Sequence, residues 1–284
     1  MRKIQIQLSD GLINPGSDVT GYVLVTCDDE FECNQLFISL HGRELARVVI
    51  HTGKVTIVYE EKSDHVNQQL NLGENLTIPM GESRYEFSFN LPSNIPGSYV
   101  GGYGSIKYTL QAKAEISWSR DLKSKKDIKV GFPSDQSVGL EIKSESEFLE
   151  DEGRSPLRFE SETNQFQLGQ DVSFRFMVDN ESNIRGVRTE IIGFEQVQPK
   201  GHEMHSKKTL AEVYYPDSEI RRDSWIEARI PTSEKWTESF SSKHIDYAHL
   251  IKVTLDVPRR LDKKIEIPIV LSQVIEDRFS DFEF

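Results

Sequence analysis

In the stretch IKYTLQAKAEISW, residues 106–118, the apolar side chains Ile106, Tyr108, Leu110, Ala112, Ala114, Ile116 and Trp118 fall on one parity. Lys107, Thr109, Gln111, Lys113, Glu115 and Ser117 fall on the other. Such alternation predicts a long β-strand with one dry face and one wet face. The stretch HIDYAHLIKVTLDV repeats it, with Ile245, Tyr247, His249, Ile251, Val253, Leu255 and Val257 in register. Shorter alternating runs predict strands at 4–8, 18–26, 85–91 and 128–132, and one at 36–40 that breaks at His41-Gly42. Residues 48–50 and 55–59 read as the arms of a hairpin around Thr52-Gly53. Residues 60–76 are polar and poorly periodic and read as a loop or weak edge strand, and 120–126 as a basic turn. No 3.6-residue period is evident, so the chain is expected to be nearly all β.

The two halves resemble each other. Gly16-Ser17-Asp18-Val19 matches Gly169-Gln170-Asp171-Val172 at an offset of 153 (169 − 16), and Ile106-Lys107-Tyr108 matches Ile245-Asp246-Tyr247 at an offset of 139 (245 − 106). The drop of 14 (153 − 139) reads as a loop lost from the second copy. Short strands separated by turn signals predict two tandem immunoglobulin-like antiparallel β-sandwiches. Their expected limits are residues 1–134 and 156–275, joined by an acidic linker, 135–155, and followed by an acidic-aromatic tail, 276–284.

Composition narrows the function classes. Of 284 residues, 34 are Lys or Arg and 46 are Asp or Glu, a net charge of −12 that argues against nucleic-acid binding by the molecule as a whole. No apolar run approaches the ~18 residues that would span a bilayer, and MRKIQIQLSD enters alternation directly, with no secretory signal evident. Two cysteines, Cys27 and Cys33, make no disulfide framework and fit a reducing compartment, so the expected location is the cytoplasm.

Catalytic motifs are lacking: there is no GxSxG, HExxH or Walker loop, and the Gly101-Gly102-Tyr103-Gly104 run leads into a strand instead of a helix. No enzyme activity and no cofactor is expected. His202, Glu203 and His205 in GHEMH are metal-capable residue types, but a closed zinc site needs about four ligands, so no metal site is assigned. His249, on the apolar parity, reads as a core histidine. Two basic clusters stand out at matching places, Arg120, Lys123, Lys125 and Lys126 after the first long strand and Arg259, Arg260, Lys263 and Lys264 after the second. Phosphorylated peptides or phosphoinositide headgroups are the ligands such clusters suit, set against solvated, edge-protecting turns.

The string IPMGESRYEFSFNLPSNIPGSYVGGYGSIKYTLQAKAEI resembles the arrestin amino domain, in which a Pro-x-Gly turn, an aromatic strand ending in Leu-Pro and a Gly-rich loop precede an Ile-x-Tyr strand. FQLGQDVSFRFMVDN and YAHLIKVTLDVPRRLDKKIEIPIVLS resemble the arrestin carboxy domain. The resemblance is closest to α-arrestins, with retromer-type sorting subunits as near relatives, though no PPxY motif is present. It implies a non-catalytic adaptor linking membrane-protein cargo to trafficking machinery, located in the cytoplasm or peripherally on endosomal or plasma membrane. A retromer-type subunit docking on a larger scaffold is the alternative; a β-sandwich enzyme and a self-assembling structural protein are remote ones. The tail, with Phe279, Asp281, Phe282 and Phe284, is similar to the Phe-rich docking motifs of β-arrestin tails.

Overall fold

The computed structural model describes residues 1–9, 11, 13–133, 145–151 and 154–273. Among them lie eighteen strands and two 3-10 turns, Pro199–Gly201 and Asp217–Glu219. No helix among the described residues is long and apolar enough to cross a membrane. The chain divides into two compact units. The first is Met1–Pro133 together with Val197–Glu203 and Ser242–Ile245; the second holds the rest.

In the first unit β1 (Arg2–Leu8), β2 (Asp18–Cys27) and β5 (Gly81–Asn90) form a three-stranded antiparallel sheet in the order β1-β2-β5. The second sheet runs β4-β3-β7-β6, from β3 (Phe31–Thr52), β4 (Val55–Ile78), β6 (Tyr99–Val100) and β7 (Gly104–Glu115), with β8 (Leu122–Ile128) also on β7. The alternation decides which face is dry. Ile4, Ile6, Val19, Val23, Val25, Phe87 and Phe89 are buried from one sheet, and Leu36, Ile38, Leu40, Ile106, Tyr108 and Leu110 from the other. Each such side chain contributes about 1.5–3 kcal/mol by leaving water.

The second unit repeats the plan. One sheet runs β15-β12-β10-β9, from β9 (Glu145–Asp151), β10 (Arg154–Ser161), β12 (Asp171–Val178) and β15 (Ile226–Pro231). The other runs β11-β18-β17-β13-β14, from β11 (Gln165–Gln167), β13 (Gly186–Val197), β14 (Met204–Pro216), β17 (Ile245–Asp256) and β18 (Lys263–Ser272), with β16 (Phe240–Ser241) on β17. The short β11–β18 pairing is parallel. Phe159, Phe174, Phe176, Ile191, Ile251, Val253 and Ile267 fill one continuous core. The fold is all-β, two antiparallel sandwiches in tandem.

Several elements differ from the sequence reading. Residues 36–52 are one strand and not two, because Gly42 is no break: a Cβ there would lie 2.4 Å from Tyr108 Cε1, so the glycine admits the tyrosine ring of the paired strand. Of the two readings of residues 60–76 the edge strand holds and the loop does not: they belong to β4, at the edge of its sheet, paired with β3. Residues 145–151, assigned to the acidic linker, pair with β10 as β9. The linker's last two residues, 154 and 155, open β10, while 135–144, 152 and 153 lie outside the described residues, as does the tail 276–284. Trp118 is not on the long strand; it is fully exposed in the following turn, with φ +59°.

The repeat is also two residues out of step with the sequence match in its late half. Gly16 and Gly169 both turn with positive φ, at the expected offset of 153 (169 − 16). Asp18 pairs with Asn90 where Asp171 pairs with Pro231, which gives 141 (231 − 90), and Ala114 pairs with Leu122 where Leu255 pairs with Lys263, again 141 (263 − 122). The second copy is thus shorter by 12 (153 − 141), and the shortening falls between β2 and β5. There β3 and β4 run for 22 and 24 residues, against 12 and 13 in β13 and β14.

Candidate partner-binding surfaces

The first basic cluster is not a turn but largely strand. β8 exposes Lys123 and Lys125 on its solvent side and tucks Lys126 against the first sheet, its Nζ 3.4 Å from the Ile6 carbonyl oxygen. Register places Lys123 opposite Lys113 and Lys125 opposite Gln111, so Lys113, Lys123 and Lys125 share the wet face of the sheet. Acids temper that face: Lys113 Nζ lies 2.6 Å from Glu115 and 3.2 Å from Asp121, and Lys125 Nζ lies 4.0 Å from Asp127. The Asp121 carboxylate, hydrogen-bonded by Lys113, sits below the usual carboxylate range.

The second cluster is built differently. Arg259 takes φ +59° at the tip of the β17–β18 turn and is exposed with Arg260 and Leu261. The turn is closed by the Val257 amide donating to Asp262 Oδ1 at 3.2 Å, as the Ile116 amide donates to Asp121 Oδ1 at 3.4 Å in the first unit. Lys264 bonds Glu266 at 2.7 Å, and Lys207 reaches the same carboxylate at 2.6 Å. Arg260 and Lys263 line a cleft of about 310 Å³ with Asp179, Glu181 and Asn183. The two clusters therefore present unlike surfaces, one an open lysine face and the other a turn beside a mixed-charge cleft. The tail residues Phe279, Asp281, Phe282 and Phe284 lie outside the described residues.

The histidines separate cleanly. His202 stacks on Tyr59 with ring centroids 3.5 Å apart, while His205 lies against Phe194 at 5.8 Å. Among the described residues no three metal-capable side chains gather. His249 is wholly buried, with Nδ1 2.8 Å from Ser239 Oγ, which accepts from the Leu271 amide at 3.1 Å. Nε2 has no partner, and burial pushes the imidazole down to about 3. Cys27 and Cys33 are buried free thiols, and burial raises that of Cys33.

The most developed polar constellation was not found by sequence reasoning. Glu44, within β3 of the first unit, has no exposed surface. Its carboxylate accepts from His65 Nε2 at 2.8 Å, from Ser242 Oγ at 2.8 Å and from the His244 amide at 2.7 Å. His244 Nε2 in turn lies 2.7 Å from Ser63 Oγ, and Glu61 accepts from the Lys200 amide at 2.7 Å. All of these residues belong to the first unit as defined above. Burial pushes the Glu44 carboxyl up, but the His65, Ser242 and His244 hydrogen bonds outweigh it and hold the group below the usual carboxylate range. A signal was present in the sequence: Leu40, Gly42, Glu44, Ala46 and Val48 share the dry parity, and an acid on that parity must be paired to be buried.

Long strands with one open side complete the picture. β4 borders the second sheet of the first unit, and β14 borders its counterpart in the second. Two serial antiparallel sandwiches with open sheet edges define the class of protein by architecture. Family comparison then identifies it. Residues 3–136 match the model of "Arrestin (or S-antigen), N-terminal domain" and residues 152–275 that of "Arrestin (or S-antigen), C-terminal domain". The chain belongs to the arrestin family.

Among its relatives, "Arrestin domain-containing protein 17" of Caenorhabditis elegans is 26% identical over 124 residues, covering 39% of this chain and 29% of that protein. "Arrestin domain-containing protein A" of Dictyostelium discoideum is 22% identical over 209 residues, 69% of this chain and 36% of that protein. These names fall on the α-arrestin side of the family, as the sequence resemblance implied. The matched part of the chain spans about a third of the length of these relatives.

Proposed function

We propose that this protein is a non-catalytic adaptor that links the cytoplasmic tails of membrane-protein cargo to trafficking machinery, working in the cytoplasm and peripherally on endosomal or plasma membrane. The observation that carries the reading is the pairing of arrestin-family sandwiches with long open-edged strands, β4 and β14. An extended peptide adds to such an edge through main-chain hydrogen bonds, while side-chain pockets select it. The lysine face formed by Lys113, Lys123 and Lys125 supports a preference for acidic or phosphorylated tails. In the same reading Lys126, Arg259, Arg260, Lys263 and Lys264 form secondary contacts, and Phe279, Asp281, Phe282 and Phe284 a docking motif for trafficking factors.

The test is affinity capture from cytosol and detergent-solubilised membranes with the full chain, with Lys123→Glu plus Lys125→Glu, and with residues 276–284 deleted. The expected result is capture of membrane proteins that the double variant reduces by about tenfold, in line with loss of two charge-assisted contacts, and of trafficking factors that the deletion removes. Capture of soluble small-molecule enzymes or of nothing contradicts the adaptor reading. A single scaffold co-purifying in stoichiometric amount instead selects the retromer-type role.

A further inference from the structure

The β3–β4 hairpin outgrows the sheet that carries it. β7 supports β3 only from Gln35 to Ala46, the Arg47 amide still donates to the Tyr103 carbonyl at 2.8 Å and Val48 is wholly buried, and from Val49 the ladder continues as a two-stranded ribbon to the Thr52↔Val55 pair. Gly53, with φ +57°, takes the first of the two turn positions, as tight hairpin turns of the primed type favour. The second copy of the fold lacks a hairpin of this length, so a sandwich does not require it.

Both faces of the ribbon carry apolar side chains. Val49 and Val58 are cross-strand partners on one face, and Ile57 and Val55 lie on the other beside half-buried Ile50. Their exposures are 37, 44, 38 and 57% for Val49, Val58, Ile57 and Val55, and these four are among only ten large apolar residues exposed in the described chain. In a chain of net charge −12, residues 45–59 contain no carboxylate but carry Arg47, His51 and Lys54. Glu60, at the ribbon's base, lies 3.9 Å from Arg47.

We propose that the ribbon tip, residues 49–58, seats in the interfacial zone of an anionic phospholipid membrane. This rests on the membrane-peripheral part of the function proposed above and assigns the contact to a specific element. Apolar side chains on both faces suit a medium that surrounds the ribbon, where a flat protein surface would cover one face only. Basic groups without acids favour an anionic leaflet. About four residues per strand at ~3.3 Å give a reach of roughly 13 Å. That exceeds the Debye length of about 8 Å at physiological salt, so the acidic body is held where its repulsion from the leaflet is screened. The outward backbone groups of a two-stranded ribbon need water, which sets the depth at the headgroup level and not in the hydrocarbon.

The test uses the full chain with phosphatidylcholine vesicles, with and without phosphatidylserine. One arm measures flotation of the wild type and of Val55→Asp plus Ile57→Asp. The other places an environment-sensitive dye on Ile57→Cys, which is selective because Cys27 and Cys33 are buried. We expect flotation with phosphatidylserine vesicles, a blue shift of the dye on binding, and binding weaker by more than about tenfold in the double variant, since two apolar anchors become charges facing an anionic surface. Thermal melts of the variants should match the wild type, because both positions are exposed. Flotation without a dye shift, or with no loss in the double variant, overturns the ribbon assignment while leaving the membrane reading intact. No flotation of the wild type overturns both.

Discussion

Replacing Glu44 with alanine lowers the stability of the first unit by about 3 kcal/mol, since a buried charge network loses its acceptor and leaves donors unpaired. The His65 Nε2–H, the Ser242 hydroxyl and the His244 amide would all lose the oxygen they now reach at 2.7–2.8 Å. Glutamine, which keeps one oxygen and the shape but puts an NH2 group beside donors, should cost less, about 1–2 kcal/mol. For a unit of this size a loss of 3 kcal/mol lowers Tm by roughly 10 °C. Thermal melts of the two variants check the order. The pH sign is fixed by the depressed pKa. Stability from Glu44 is present above the unfolded carboxylate value of about 4.3 and is lost as pH falls through the lower folded value. A melt showing Glu44→Ala as stable as wild type at neutral pH would mean that the constellation does not hold the first unit together.

His249 makes the second unit acid-sensitive at a milder pH. Its folded pKa of about 3 lies far below the unfolded value of about 6.5. Between these values the unfolded chain binds the extra proton, so stability rises with pH across that window and is fully present above 6.5. The expected loss is about 1.4 kcal/mol per pH unit, or about 2 kcal/mol at pH 5. His249→Leu, close in volume and unable to titrate, should abolish this dependence and leave Ser239 Oγ with its Leu271 contact. Urea unfolding of wild type and variant at pH 7, 6 and 5 reads the difference directly. Parallel curves for the two proteins across that range would contradict a histidine buried in its neutral form.

What the alternation could show, it showed. A dry parity along 106–116 and 245–257 locates the two central strands, turn residues locate the hairpin around Gly53, and one polar residue on a dry parity marks His249 as core. Failures came where the deciding partner is remote in sequence. Gly42 looks like a strand break until Tyr108, paired with it on β7, is seen to need the space. The polar run 60–76 has little period of its own, and only pairing with β3 decides between the loop and the edge strand in favour of the strand. Matching Ile-x-Tyr to Ile-x-Tyr set the late repeat two residues off, whereas the ladders equate Tyr108 with His249, both wholly buried.

The basic clusters were legible as composition but not as surface. Strand parity sends Lys123 and Lys125 one way and Lys126 the other, and nearby acids claim Lys264. Glu44 stayed hidden because its partners come from two remote parts of the chain, residue 65 and residues 242 and 244. A charge on a dry parity signals that partners exist without saying which they are.

The central claim is that cargo tails add to an open sheet edge. Hydrogen exchange by mass spectrometry, on the full chain with and without a saturating captured cargo tail, tests it most directly. Amides along β4 or β14 should slow on binding, as their outward N–H groups gain carbonyl partners, while those of the central strands β7 and β17, already bonded on both sides, stay unchanged. Protection confined to loops, with both edge strands unchanged under saturating tail, would contradict strand addition.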